Sequence, residues 1–161
     1  RVGYLRFASF LETSRAELDE AFDTLAEENV GELVLDLRYN GGGRVDVAAD
    51  LAGGIGGSVL AGETFASFRR NERYAEFDVD IDFGQRFAAL DLERVFVLTT
   101  AGTCSASELV MNSLEPFIDV MSVGGATCGN YWLFTGAKYF PAFATSCAAN
   151  WSFIRANASG E

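Results

Sequence analysis

The chain predicts an α/β fold, a βαβ core with an antiparallel β addition, and three features carry that prediction. A strand-like run at 2–8 (VGYLRFA), a helix-period segment from Ser14 and an apolar run at 32–37 (ELVLDL) give the order strand, helix, strand. That order is a parallel crossover unit, right-handed by default. Apolar runs recur at 94–100 (RVFVLTT) and 119–125 (DVMSVGG), with a helical stretch between them. Residues 63–83 read instead as antiparallel β structure.

Taken in order, Ser14 and Glu17 have capping-box spacing, and Leu18, Phe22 and Leu25 repeat along one helical face. Acidic residues (Glu17, Asp19, Glu20, Asp23, Glu27, Glu28) crowd the rest of this helix as its solvated side, and Gly31 is the expected stop. A second helix is expected over 44–55 with Val45, Ala48, Ala49 and Leu51 facing inward, broken by Gly53, Gly54, Gly56 and Gly57. In DVDIDF, Asp78, Asp80 and Asp82 alternate with Val79, Ile81 and Phe83, the pattern of a half-exposed strand. These carboxylates lack the glycine and terminal Glu of a calcium loop. The stretch 131–156 is aromatic-rich and strand-like.

Composition narrows the chemistry. A chain of 161 residues with 49% apolar residues suits one domain with a real core. Net charge is −11, with eleven arginines and one lysine, Lys138, so no basic stripe points to nucleic acid or an anionic membrane. There is no histidine, which removes Ser-His-Asp and Cys-His mechanisms and His-based metal sites; no metal or cofactor is expected. Three cysteines allow at most one bridge. Cys128 with Cys147 is the expected pair, because Cys104 sits inside a motif; three buried thiols are the alternative. The N-terminus RVGYLRF is not a signal peptide, and the chain reads as a piece of a longer protein.

Two turns follow buried strands and precede helices, where ligands bind in α/β sheets. RYNGGG (38–43) lets backbone N–H groups approach a ligand closely, though a tight structural turn needs the same glycines. In TTAGTCSASELV (99–110), Ser105 falls at a predicted helix start, where free N–H groups favour developing negative charge. A serine so placed is first of all an N-cap.

The combination says more than its parts. GYLRF (3–7), VLDLRYNGGG (34–43), T-x-S-A-S-E-L (103–109) and V-G-G-A-T-x-G (123–129) resemble, in order and spacing, the catalytic domain of the C-terminal processing (tail-specific) serine peptidases. The resemblance implies a ClpP/crotonase-like core and makes 1–161 a peptidase catalytic domain. It also implies a serine–lysine dyad, with Ser105 as nucleophile and a buried lysine of lowered pKa as general base. The N–H of Ala106 with that of Gly42, or next of Gly41, would form the oxyanion hole. Glu108, one turn on, would orient the base or simply be solvated.

One position departs from the family pattern. The dyad lysine position is Asn130, whose amide has no useful basicity near neutral pH. Lys138, eight residues on, would need a chain reversal to substitute. Three readings follow: a serine peptidase weakened by Asn130, a pseudo-peptidase that binds peptides without cutting them, and a crotonase-like acyl-CoA enzyme. The last lacks a basic CoA-binding surface. The resemblance further implies a peptide or protein substrate and an extracytoplasmic (periplasmic or secreted) setting. The acidic balance favours basic substrates.

Overall fold

A computed structural model describes residues 1–129 and the backbone of residues 154–155. Four parallel strands, β1 (Val2–Arg6), β2 (Glu32–Asp36), β5 (Arg94–Thr99) and β6 (Asp119–Gly124), form a sheet in the order β1-β2-β5-β6. Helices α1 (Ser14–Glu27), α2 (Val45–Gly56) and α3 (Ala106–Leu114) make the crossovers. A second sheet, in the order β4-β3-β7, is antiparallel: β3 (Thr64–Phe68) lies between β4 (Val79–Asp82) and β7 (Ile154–Arg155). The α/β core with an antiparallel addition is therefore as the sequence predicts. The rest of the strand-like stretch 131–156 lies outside the described residues.

Strand alternation builds the core. Leu33 and Leu35 of β2 and Val95 and Val97 of β5 are fully buried on the helix side of the sheet. Leu18 and Phe22 of α1, Leu51 and Ile55 of α2, and Leu109 and Leu114 of α3 pack onto them in one cluster. Phe65 and Phe83 meet edge to face at 5.3 Å and join the antiparallel addition to that cluster. Register is continuous across the parallel sheet: Leu35 pairs with Val97, and Val97 with Ser122. Because all strands run the same way, the turns after β2, β5 and β6 gather at one end.

Three local expectations are corrected. Ser14 is the first residue of α1, not its cap; Thr13 precedes it, and Ser14 Oγ donates to the Ser9 carbonyl at 3.2 Å, which displaces the capping box. The left-handed residue after α1 is Asn29 (φ +49°), so the helix stops before Gly31. Helix α2 runs straight through Gly53 and Gly54 and ends at Gly57 (φ +59°). Those two glycines are needed for packing: a Cβ on Gly53 would strike the Gly84 carbonyl oxygen, and one on Gly54 would lie 2.5 Å from the Phe22 ring.

Candidate active site

The glycine turn after β2 is held by a buried asparagine. Asn40 Nδ2 donates to the Phe7 carbonyl at 2.8 Å, and its Oδ1 accepts the Gly42 N–H at 2.9 Å. The Asn40 carbonyl accepts the Cys104 N–H and the Ser107 hydroxyl, both at 3.0 Å. One residue thus shapes the glycine turn and ties it to the turn after β5. Asn40 is not among the residues the motifs single out; its signal in RYNGGG is an amide side chain just before a run of glycines.

The turn after β5 is built on hydroxyls. Thr103 Oγ1 donates to the Leu37 carbonyl at 2.7 Å and accepts the Thr100 N–H at 3.0 Å. Ser105 follows, half-buried, as the N-cap of α3 with φ +56° and ψ −117°. A non-glycine residue there carries strain of about 1–3 kcal/mol, which persists only where neighbours over-determine it. Ala106, the first helical residue, presents an N–H with no intrahelical acceptor.

Gly42 brings the two turns together. It is buried at φ +97°, and a Cβ built on it would lie 2.7 Å from Ser105 Cβ and 2.8 Å from the Ala106 nitrogen. Only a glycine permits that approach. Gly41 is exposed, and a Cβ built on it would meet nothing within 4 Å. Ser105, Ala106 and Gly42 therefore share one spot, while the Gly42 N–H itself is turned to Asn40.

Glu108 is 2% exposed, which removes its solvated reading. Its Oε2 accepts the Ser105 N–H at 2.8 Å and its Oε1 the Gly129 N–H at 2.9 Å. A single carboxylate thus links the serine to the residue preceding Asn130. Cys128 N–H adds a bond to the Thr103 carbonyl at 3.0 Å. Cys104 and Cys128 are joined as a disulfide with Cα atoms 5.4 Å apart, which corrects the expected Cys128–Cys147 pair. The physical reason is register: Thr99 and Gly124 are partners on adjacent parallel strands, and the two cysteines follow them by five and four residues. Asn130, Lys138 and Cys147 lie outside the described residues.

Upstream of the glycine turn, Asp36 is 1% exposed on β2. Arg38 grips its carboxylate through Nε at 2.9 Å and Nη2 at 2.6 Å, and Tyr4 donates its hydroxyl at 2.5 Å. The Arg38 hydrogen bonds, aided by Tyr4, hold the Asp36 carboxyl far below the usual carboxylate range despite burial. In sequence Asp36 is one residue of an apolar run, and nothing local marks its pairing with Arg38 and Tyr4.

Comparison with known proteins now bears on the arrangement. Residues 1–137 match the model of peptidase family S41. The chain belongs to this family. It is 29% identical over 132 residues to the chloroplastic C-terminal processing peptidase of Tetradesmus obliquus, covering 80% of this chain and 26% of that protein. To the carboxy-terminal processing protease CtpA of Bacillus subtilis it is 26% identical over 143 residues, covering 86% of this chain and 28% of that one. The S41 chain thus spans about a quarter of the length of these relatives. In structure it resembles a putative S41 protease from Bacteroides fragilis at TM-score 0.75 and 34% identity, covering 80% of this chain and 36% of that chain. It also resembles the photosystem II D1 C-terminal processing protease at TM-score 0.63 and 26% identity, covering 80% and 31%. The family and the fold class are those the motifs predicted. Among the described residues of this S41 chain, no helix is long and apolar enough to cross a membrane.

Proposed function

We propose that this S41 chain carries the nucleophile and oxyanion half of a serine-type peptidase acting on polypeptide substrates. Ser105 Oγ attacks the scissile carbonyl carbon, and the carbonyl electron pair moves onto oxygen. Ala106 N–H and the glycine turn receive that oxyanion. Gly42 is the glycine in contact with Ser105, so its N–H exchanges the Asn40 acceptor for the oxyanion. Collapse expels the amine fragment, which takes up a proton, and water hydrolyses the acyl-enzyme. The observation that carries this reading is the 2.7–2.8 Å approach of the Gly42 Cβ direction to Ser105 and Ala106.

Asn130 stands in the general-base position, and Glu108 orients that turn through Gly129. With an amide there, the Ser105 proton leaves to solvent and turnover is slow. The named relatives process polypeptide C-termini, and we extend that class of substrate to this chain. A net charge of −11 steers basic substrates inward, an effect that fades with salt. The disulfide supports an extracytoplasmic setting.

Steady-state hydrolysis of a fluorogenic peptide tests the assignment. Asn130→Lys is expected to raise kcat/KM by about 100-fold or more over the parent chain, and Ser105→Ala to abolish turnover in both backgrounds. If Asn130→Lys leaves an inert protein inert, loss of the base is not the defect, and the cleft is a peptide-binding module instead.

A further inference from the structure

The disulfide occupies a particular place. Cys104 is bonded through the backbone to Ser105, and Cys128 lies two residues before Asn130. The bond therefore joins the turn that carries the nucleophile to the base turn, residues 125–129, which leads up to Asn130 in the sequence. Neither sulfur belongs to the apolar core, and both cysteines are half-buried rather than enclosed.

Ser105 holds a strained φ of +56°, so its geometry depends on restraints from both sides. On the helix side, Glu108 accepts its N–H. On the strand side, the Cys104 N–H is held by Asn40, and the Cys104 side chain by the disulfide. The base turn is fixed by the same bond, by Cys128 N–H on the Thr103 carbonyl and by Gly129 N–H on Glu108. Breaking the disulfide removes the covalent link between the two turns and leaves hydrogen bonds and the packing of Gly42, Thr103 and Ala106 to hold them among the described residues.

We propose that the Cys104–Cys128 disulfide is a redox-modification site, a clamp between nucleophile turn and base turn that a dithiol reductant opens to disengage Ser105. The control of Ser105 rests on the nucleophile reading above; the clamp itself does not. The chemistry is thiol–disulfide exchange. A thiolate of the dithiol attacks one sulfur, the Cys104–Cys128 bond breaks, and a mixed disulfide forms. The second donor thiol resolves it. Two electrons and two protons pass to Cys104 and Cys128 as thiols, and the donor leaves as a disulfide.

The test has two arms. First, a non-reducing peptide map of the chain is expected to show a Cys104–Cys128 cross-link, with both thiols alkylated by iodoacetamide only after dithiothreitol. Hydrogen exchange follows the two forms, and Cys128→Ser serves as a permanently open one. The amides of Ser105 and Gly129 are expected to exchange about tenfold faster on opening, beyond any change at Leu33 and Val95, and to recover on reoxidation. Free thiols at Cys104 and Cys128 in the air-oxidised protein, a Cys128–Cys147 cross-link, or an equal change at all four amides would overturn the clamp; a free thiol at Cys147 alone is expected, and the last outcome would make the bond a staple of the whole fold. Second, Ser105 labelling by a fluorophosphonate is expected to run about tenfold slower in the reduced form. Equal labelling rates overturn the control of Ser105. Labelling in neither form sinks the nucleophile reading, and the exchange data then judge the clamp alone.

Discussion

Adding one carbon at Gly42 would place it 2.7 Å from Ser105 Cβ and 2.8 Å from the Ala106 nitrogen, at a φ of +97° that side chains rarely adopt. Gly42→Ala is therefore expected to cost about 3 kcal/mol, read as a lower melting temperature, and to separate the turns that form the site. Glu108 is as constrained for a different reason. Its two oxygens each accept a backbone N–H, from Ser105 and from Gly129. Glu108→Gln offers one acceptor and turns an NH2 toward the other donor, so a loss of about 1–2 kcal/mol is expected in denaturant unfolding. Asp36 sets an acid limit. Its carboxyl is held well below the ordinary value by Arg38 and Tyr4, so it is ionised in the folded state to lower pH than in the unfolded chain. That difference stabilises the fold above about pH 4 and is lost as pH falls further toward the depressed folded value. Asp36→Asn is expected to cost about 2 kcal/mol at pH 7, less than a fully buried pair because Arg38 is half exposed, with the gap to the parent chain closing below about pH 4. A constant gap from pH 7 to pH 2 would contradict this account.

Among the elements, α2 shows where local rules and packing part company. Glycine disfavours helix interiors, which is why Gly53 and Gly54 read as breakers. Packing wins because Gly53 admits the Gly84 backbone and Gly54 admits the Phe22 ring. Gly53→Ala is accordingly expected to destabilise by about 3 kcal/mol, whereas Gly31→Ala, with open space at its Cβ, should stay within about 0.5 kcal/mol. Thermal melts of the two variants check the contrast. The strands of the parallel sheet were legible as short apolar runs, as in Leu33, Val34 and Leu35, which a parallel sheet flanked by crossover helices buries. Helix ends were less so: the Ser14 hydroxyl found the Ser9 carbonyl, a tertiary partner that capping patterns do not encode.

At the level of the whole molecule, the parallel sheet assembles the site. Motifs scattered from residue 34 to residue 129 converge because β2, β5 and β6 end at the same side of one sheet. Order and spacing of the motifs revealed the family, and it was that resemblance, laid over the two ligand-facing turns, that pointed to Gly42 and Ser105 as partners; the turns alone read equally as a tight bend and a helix cap. The hub at Asn40, the double acceptor role of Glu108 and the Cys104–Cys128 pairing were not, since each depends on which strands are neighbours. Knowing that β5 lies beside β6 would have paired the two cysteines directly. The central claim, that the Ser105 hydroxyl is a nucleophile beside main-chain donors, is tested most directly by peptide mapping after fluorophosphonate treatment of the parent chain and Asn130→Lys. A single adduct on Ser105, faster in Asn130→Lys and lost in Ser105→Ala, is the expected result. An adduct on Ser107 instead, or none in either protein, would contradict it.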